Sequence, residues 1–152
     1  MTYQDIEALT IKKEGNSLEF KESTGQLDRS METLCAFLNG EGGTILYGVK
    51  DDGKIIGQTV SDSTKRSIAE AVNRIEPFVD LEITYVAIPG TEKYVIVIFV
   101  EEQRFMRPFT YKGRAYQRIE STTTVIQPGD KCKAKASSGL EVPPAATFST
   151  CV

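Results

Sequence analysis

Acidic side chains near the start of the chain, with one more beyond the first long apolar run, could together bind a divalent cation. Glu14 and Glu19 lie five residues apart, Asp51 follows the apolar run, and Lys21 is two residues beyond Glu19. Phosphodiester hydrolysis with Mg²⁺ or Mn²⁺ needs two or three convergent carboxylates and a nearby cation. The pattern makes Glu14, Glu19 and Asp51 candidate metal ligands, with Lys21 as the cation that assists catalysis.

The spacing of these acids leaves a plainer alternative open. Five extended residues cover about 17 Å, which is too far for one ion, so Gly15-Asn16 would have to bend the chain. Acidic residues at strand ends, or in turns such as Asp51-Asp52-Gly53, are commonly solvated or cap a neighbouring segment. The carboxylates therefore predict either a metal site or solvated acidic side chains.

A second candidate site is the basic segment 104–118, RFMRPFTYKGRAYQR, which has five cations and no acid in a chain of net charge −3. Cations that hold phosphates, with rings that stack bases, are what binding of single-stranded nucleic acid requires. Arginines on one face can also grip a duplex backbone. The alternative is a solvated hairpin whose charges protect its edge. The candidate binding residues are Arg104, Arg107, Lys112, Arg114, Tyr116 and Arg118.

Aromatic residues are interleaved with the cations of this segment. If residues 114–119 form a strand, Arg114, Tyr116 and Arg118 share one face of it. That face would offer both charge and a ring to a nucleic acid. The aromatic residues of the segment are Phe105, Phe109, Tyr111 and Tyr116.

Composition excludes several kinds of chemistry. The chain has no histidine, so it contains no Ser-His or Cys-His triad. Its cysteines, at positions 35, 132 and 151, have no zinc spacing, and a reducing cytoplasm fits them best. No apolar run approaches the roughly 18 residues of a membrane span, so no membrane association is expected.

The glycines of FLNGEGGTILYG do not predict a phosphate-binding loop. Such loops run from a strand into a helix, whose free N–H groups face the phosphates. Here the helix comes first, so its carbonyl end points at Gly40–Gly43. We therefore expect a helix stop with a left-handed glycine and tight backbone packing, and no ATPase site in this chain.

Apolar periodicity and turn signals predict the elements that would position these residues. Leu27, Met31, Leu34, Cys35 and Leu38 form one helical stripe, and a second helix runs through Ile68–Ile75. Strands are predicted at 17–21, 44–49, 54–57, 81–88, 94–100, 110–111 and 114–119. The fold class expected is α+β, with two main helices packed on a mixed, mostly antiparallel sheet of six or seven strands.

The same patterns divide the chain into three parts. Residues 1–10 form an N-terminal arm or short helix, and 11–127 form the domain. Residues 128–152 have few apolar side chains and no clean period, which is typical of a linker, a disordered tail or a vector remnant.

The combined motifs resemble the Schlafen AlbA-type domain over roughly residues 11–125. They are SLEFKES with Glu-Phe-Lys, AFLNGEGG with Ala-Phe-x-Asn-x-x-Gly-Gly, Gly-Val-x-Asp at 48–51, and a final Tyr-x-Arg in RPFTYKGRAYQRIESTT. This domain occurs in Schlafen proteins. It also begins many bacterial proteins described as transcriptional regulators, ATP-binding proteins or RecG-related helicases.

The resemblance implies a nucleic-acid-binding α+β fold. Some animal Schlafens cleave RNA with a three-carboxylate, metal-dependent site, whose positions would fall on Glu14, Glu19 and Asp51. Those nucleases use two tandem copies of the domain, so a homodimer would have to replace the second copy here. Where the family usually has Gly-Ser after the last arginine, this chain has Glu120-Ser121, a negative charge that would weaken phosphate contact.

Three functions are compatible with these observations. The first is a DNA- or RNA-binding module of a transcriptional regulator or RecG-related, helicase-like protein, with a further domain downstream that carries any ATP site. The second is a Mg²⁺- or Mn²⁺-dependent endoribonuclease using Glu14, Glu19, Asp51 and Lys21. The third is a protein-interaction or dimerisation module. The basic segment favours the first.

Overall fold

The structure is a computed structural model that describes residues 1–127, so the tail predicted over 128–152 lies outside the described residues. Its helices are α1 (Tyr3–Ile11), α2 (Leu27–Leu38) and α3 (Asp62–Val72), and a short 3-10 turn at Thr24–Gln26 leads into α2. No helix in this part of the chain is long and apolar enough to cross a membrane.

Eight short strands in residues 1–127 form two four-stranded sheets. The first sheet has the order β1-β2-β5-β4, in which β1 and β2 are parallel and the other pairs antiparallel. The second has the order β3-β6-β7-β8 and is antiparallel throughout. The strands are β1 (Leu18–Lys21), β2 (Gly42–Tyr47), β3 (Ile75–Glu76), β4 (Glu82–Ala87), β5 (Tyr94–Glu101), β6 (Thr110–Tyr111), β7 (Arg114–Ile119) and β8 (Thr122–Val125).

Helix α2 packs against both sheets and is the centre of the fold. Its apolar stripe is buried as predicted, except that Leu27 is only half-buried. Ser30, Thr33, Ala36 and Phe37 are buried as well, because strands of the second sheet cover the face that the first sheet leaves open. One apolar cluster therefore joins α2 and α3 to both sheets.

A second, smaller cluster lies on the opposite face of the first sheet. Ile6 of α1 packs there with Leu18, Phe20, Leu46 and Val97. The capping box at the start of α1, in which Thr2 and Asp5 bind each other's backbone N–H, orients the helix over this face. The short N-terminal helix therefore covers the side of β1 that α2 does not.

The predicted α+β class is confirmed, but the strands divide differently from the expectation. They form two sheets rather than one, because α2 needs apolar partners on two sides. Residues 54–57 make only an isolated bridge, Val49 to Ile55, rather than a strand. The short strands β3 and β8 were not predicted: the second helix ends at Val72, and Ile75, expected in that helix, begins β3.

The glycines after α2 serve backbone packing. Gly42 has φ +83, and a Cβ there would lie 2.6 Å from the Val100 carbonyl oxygen. A Cβ on Gly43 would lie 2.7 Å from the Phe37 ring. Asn39, the C-cap of α2, has a right-handed conformation, so the left-handed glycine expected at the helix end stands instead at Gly42, where β2 begins.

Candidate nucleic-acid interface and carboxylate cleft

The four residues predicted for metal-dependent chemistry line one cleft of about 550 Å³. Glu19 and Lys21 belong to β1, Glu14 lies in the bend before it, and Asp51 lies in the turn after β2. Because β1 and β2 are parallel neighbours, the residues that follow β2 reach the same end of the sheet as Lys21. The bend at Gly15, bridged to Leu18, brings Glu14 back to them.

Glu19 is nearly buried, with its side chain 10% exposed, and both of its carboxylate oxygens are ion-paired. Oε1 lies 3.1 Å from Lys21 Nζ, and Oε2 accepts a hydrogen bond from the Arg118 guanidinium. Glu19 and Lys21 lie on the same face of β1. Arg118 of β7 and residues of α2 lie over that face. A buried carboxylate needs such cationic partners.

Glu14 is half-buried, and its Oε1 accepts a hydrogen bond of 2.8 Å from the Phe20 backbone N–H. Burial raises the pKa of its carboxyl group; the Phe20 hydrogen bond opposes this rise, and repulsion from Glu19 and Asp51 adds to it. The negative charges of Glu19 and Asp51 therefore act on Glu14 across the cleft, as the bend considered at Gly15-Asn16 would require.

The side chains as oriented do not fit a divalent cation. Within residues 1–127, no group of three or more Asp, Glu, His or Cys side chains stands in an arrangement that could hold a metal ion. Glu19 directs its oxygens at Arg118 and Lys21, so the charge that would attract a cation is already balanced. The assignment of Glu14, Glu19 and Asp51 as metal ligands stays a prediction.

Arg118 is nearly buried, with only 4% of its side chain exposed, and it lines the carboxylate cleft. Besides Glu19, its guanidinium donates to the carbonyl oxygens of Gly15 at 3.0 Å and Leu18 at 3.4 Å. It also donates to Thr123 Oγ1 at 2.9 Å and lies 5.4 Å from the centre of the Phe37 ring. Arg118 thus joins the second sheet to β1.

Tyr116 and Arg107 also make internal contacts. Tyr116 is 7% exposed and belongs to the larger core cluster, because its face of β7 packs on α2. Arg107 donates to the carbonyl oxygens of Leu38 and Gly40, which satisfies acceptors at the C-terminal end of α2. Burial lowers the pKa of Arg107, and the nearby Glu102 opposes the shift.

The remaining cations of the basic segment are exposed. Arg104 lies 3.4 Å from Glu102, and Lys112 lies 3.1 Å from Asp28 at the start of α2. The Lys112 and Asp28 side chains are each 57% exposed. Arg114 is exposed at the first position of β7. The six predicted binding residues therefore divide into a buried half and an exposed half.

Sheet register adds Arg74, an exposed cation that the sequence analysis missed, to this surface. Ile75 pairs with Tyr111, so Arg74 lies beside Lys112 at the end of the ladder, and Tyr111 also pairs with Arg114. We call Arg74, Lys112 and Arg114 the hairpin cluster. Hydrogen bonds from Tyr111 and Lys112 lower the pKa of Asp28, and the charges of Lys112 and Arg74 contribute, so these cations share one neighbourhood.

Comparison with known proteins gives one family match and several structural neighbours. The family model described as "Schlafen, AlbA_2" matches residues 14–127, and no curated protein matches the chain. The DIP2311 protein of Corynebacterium diphtheriae is 21% identical, with a TM-score of 0.52, over 73% of this chain and 22% of that one. This chain therefore spans about a fifth of that protein's length.

A second solved structure is matched over nearly its whole length. It is the N-terminal domain of an ATP-dependent DNA helicase RecG-related protein from Nitrosomonas europaea. It is 20% identical, with a TM-score of 0.54, over 86% of this chain and 97% of that one. At such identities, these likenesses show a common fold.

Proposed function

The chain belongs to the Schlafen AlbA_2 family, and from this premise we propose that it is a nucleic-acid-binding module that holds the phosphate backbone through the hairpin cluster. The observation that carries the proposal is the meeting of Arg74, Lys112 and Arg114 around Tyr111, on the ladder of β3, β6 and β7. All three side chains are exposed, whereas Arg107 and Arg118 of the same basic segment are committed to internal contacts.

The hairpin cluster can exchange its present contacts for phosphates at little cost. The pair between Lys112 and Asp28 is solvated on both sides, and such surface pairs contribute about 0–1 kcal/mol. Phosphate oxygens accept charge-assisted hydrogen bonds from lysine and, in bidentate form, from arginine. A backbone phosphate therefore competes readily with Asp28 for Lys112.

We place the module in a larger protein of the reducing cytoplasm, either a transcriptional regulator or a RecG-related protein, and propose DNA as its ligand. Two likenesses support this setting: the Nitrosomonas europaea domain begins a RecG-related protein, and the Corynebacterium diphtheriae protein is much longer than the matched region. A homodimer of this chain would place two hairpin clusters on one ligand. If the protein binds RNA more tightly than DNA, RNA replaces DNA as the proposed ligand.

Removing the charges of the hairpin cluster is expected to flatten the salt dependence of binding. Each phosphate contact contributes about 0.9 to the slope of log affinity against log salt for duplex DNA. The triple variant Arg74→Gln, Lys112→Gln, Arg114→Gln should therefore lower that slope by about 2 to 3. Fluorescence anisotropy with labelled DNA and RNA, measured over a range of salt concentrations, gives the slope for each ligand.

The matched control removes three exposed cations elsewhere, with Lys54→Gln, Arg66→Gln and Lys93→Gln. Its net charge equals that of the first triple variant, so any difference between them reports position rather than total charge. Equal slopes for the two variants, or a wild-type slope near zero, would contradict the proposed binding site.

A second candidate function is Mg²⁺- or Mn²⁺-dependent RNA cleavage. It is favoured by the meeting of Glu14, Glu19, Lys21 and Asp51 in one cleft. The ion pairs of Glu19 with Lys21 and Arg118 count against it, and for this reason the binding function is placed first.

Incubation of the protein with tRNA and Mn²⁺ tests this second candidate. If it is correct, cleavage should fall at least about tenfold in Glu14→Gln and in Asp51→Asn, variants that remove a charge but keep the side-chain shape. Glu14→Gln keeps an oxygen that can accept from the Phe20 N–H, so its fold should persist. Equal cleavage by wild type and both variants, or none by wild type, would exclude the nuclease.

A further inference from the structure

Only one aromatic ring of the basic segment reaches solvent. Phe109 and Tyr111 are fully buried, and Tyr116 belongs to the same core cluster. Phe105, in contrast, is 90% exposed, and its neighbour Met106 is exposed as well. Of the four aromatic rings in this segment, Phe105 alone is available to a ligand.

The loop that carries Phe105 is anchored at two residues that follow the ring, one on each side of Pro108. On one side, Arg107 donates to the carbonyl oxygens of Leu38 and Gly40. On the other side of Pro108, Phe109 is buried, and its N–H donates to Asn39 Oδ1 at 2.6 Å. The exposed ring therefore projects from a base that is anchored on its C-terminal side.

Phe78, which is 73% exposed, lies at the same end of the second sheet as the loop. Glu76 pairs with Thr110, so the chain that leaves β3 toward Phe78 runs beside the chain that enters β6 from the loop. The hairpin cluster lies at the opposite end of this ladder. Fully extended, four residues span at most about 13 Å, so Arg74 and Phe78 lie within a few nucleotides of each other.

We propose that Phe78 and Phe105 stack unpaired bases, so that this domain selects single-stranded over duplex nucleic acid. The inference rests on the proposed function, because the hairpin cluster supplies the phosphate contacts at the other end of the ladder. A duplex keeps its bases stacked on one another and cannot present their faces to both rings. A single strand can place phosphates on the cluster and bases on the rings at the same time.

The charge of Glu102, which begins the loop, does not oppose this arrangement. Its carboxylate lies 3.4 Å from the Arg104 guanidinium and 3.7 Å from that of Arg107. Two arginines thus lie beside Glu102 in the loop that carries the exposed ring, and Arg104 is exposed.

The test compares ring and non-ring variants on matched ligands. A 12-nucleotide single strand that contains 2-aminopurine reports stacking by loss of its fluorescence, and a labelled duplex of the same sequence reports backbone binding. The double variant Phe78→Leu, Phe105→Leu keeps apolar side chains but removes the rings, whereas Phe78→Tyr, Phe105→Tyr keeps them. Ile11→Ala, at an exposed apolar position on α1, is the control.

We expect the double leucine variant to lose affinity for the single strand by about tenfold or more, together with the fluorescence change, and the double tyrosine variant to retain both. Duplex binding and the Ile11→Ala control should change by less than about twofold. Suppose that binding depends on salt and is weakened by the hairpin-cluster triple variant but is unchanged in the double leucine variant. That result would overturn this inference and leave the proposed function standing.

Two other results would contradict the inference for different reasons. The absence of salt-dependent binding to either ligand would overturn the proposed function, and the stacking inference with it. Self-association in light scattering that disappears in the double leucine variant but persists in the double tyrosine variant, without a preference for single strands, would show that the rings form a protein contact instead.

Discussion

Replacement of Arg118 by methionine is expected to lower the free energy of unfolding by about 3–5 kcal/mol. Methionine roughly fills the space of the arginine stem, so the main loss is the charge that balances Glu19 in the interior. The carbonyl oxygens of Gly15 and Leu18 lose a donor at the same time. Urea denaturation followed by circular dichroism measures the change, and Arg114→Met, an exposed position on the same strand, should cost less than about 0.5 kcal/mol.

A double-mutant cycle with Glu19→Gln separates the charge from the packing. If the unpaired carboxylate is the main cost of Arg118→Met, adding Glu19→Gln should restore part of the stability, so that the two changes are not additive. Fully additive changes, or a loss below about 1 kcal/mol in Arg118→Met alone, would show that the pair is not the link between the sheets.

Replacement of Asn39 by aspartate, nearly its isostere, is expected to cost about 3 kcal/mol or more at neutral pH. Asn39 Nδ2 donates to the carbonyl oxygens of Phe109 at 2.9 Å and Tyr116 at 3.0 Å, in a fully enclosed position. The substitution turns this donor into a carboxylate oxygen that faces two other oxygens. Each buried group left without a partner costs about 1–3 kcal/mol, and more where charge is involved.

The loss in Asn39→Asp should depend on pH in a defined direction. Burial and the two carbonyl oxygens raise the folded-state pKa of the new carboxyl above its unfolded value of about 3.9. The variant should therefore be closest to wild type below that pH and lose stability as pH rises through the folded-state pKa. Thermal unfolding between pH 3 and 8 measures this trend.

The control for this change is Asn73→Asp, since Asn73 is the exposed C-cap residue of α3, as Asn39 is of α2. A negative charge at a solvated helix C-terminus costs about 0.3–1 kcal/mol. Losses of similar size at the two positions would contradict the interpretation that Asn39 is the fixed link between α2 and the second sheet.

The sequence was sufficient for the parts of the fold that have a clear period. The stripe from Leu27 to Leu38 predicted α2, and the paired apolar runs predicted β2, β4 and β5. The family resemblance, placed at roughly residues 11–125, agrees with the matched span of 14–127. The metal-site alternative required the carboxylates to converge through a bend at Gly15-Asn16, and all three line one cleft.

The sequence does not reveal which face of β7 meets solvent. Alternation correctly assigns Tyr116 and Arg118 to one face, but the pattern does not say whether that face meets water or α2. A buried arginine looks the same in sequence as a surface arginine, because only its partner, Glu19, 99 residues away, reveals the difference. Arg74 was missed because the second helix was predicted to run through Ile75, so no strand was expected beside Lys112.

Because α2 packs on both sheets through one continuous apolar cluster, we expect the two sheets to unfold together. Hydrogen bonds of Arg118 and Asn39 also join the second sheet to β1 and to α2. Local opening of β7 would expose the side of α2 that it covers, so amide hydrogens of the two sheets should exchange with solvent through a common unfolding event. A nucleic acid bound only at the hairpin cluster would consequently slow hydrogen exchange in the distant strand β5 as well.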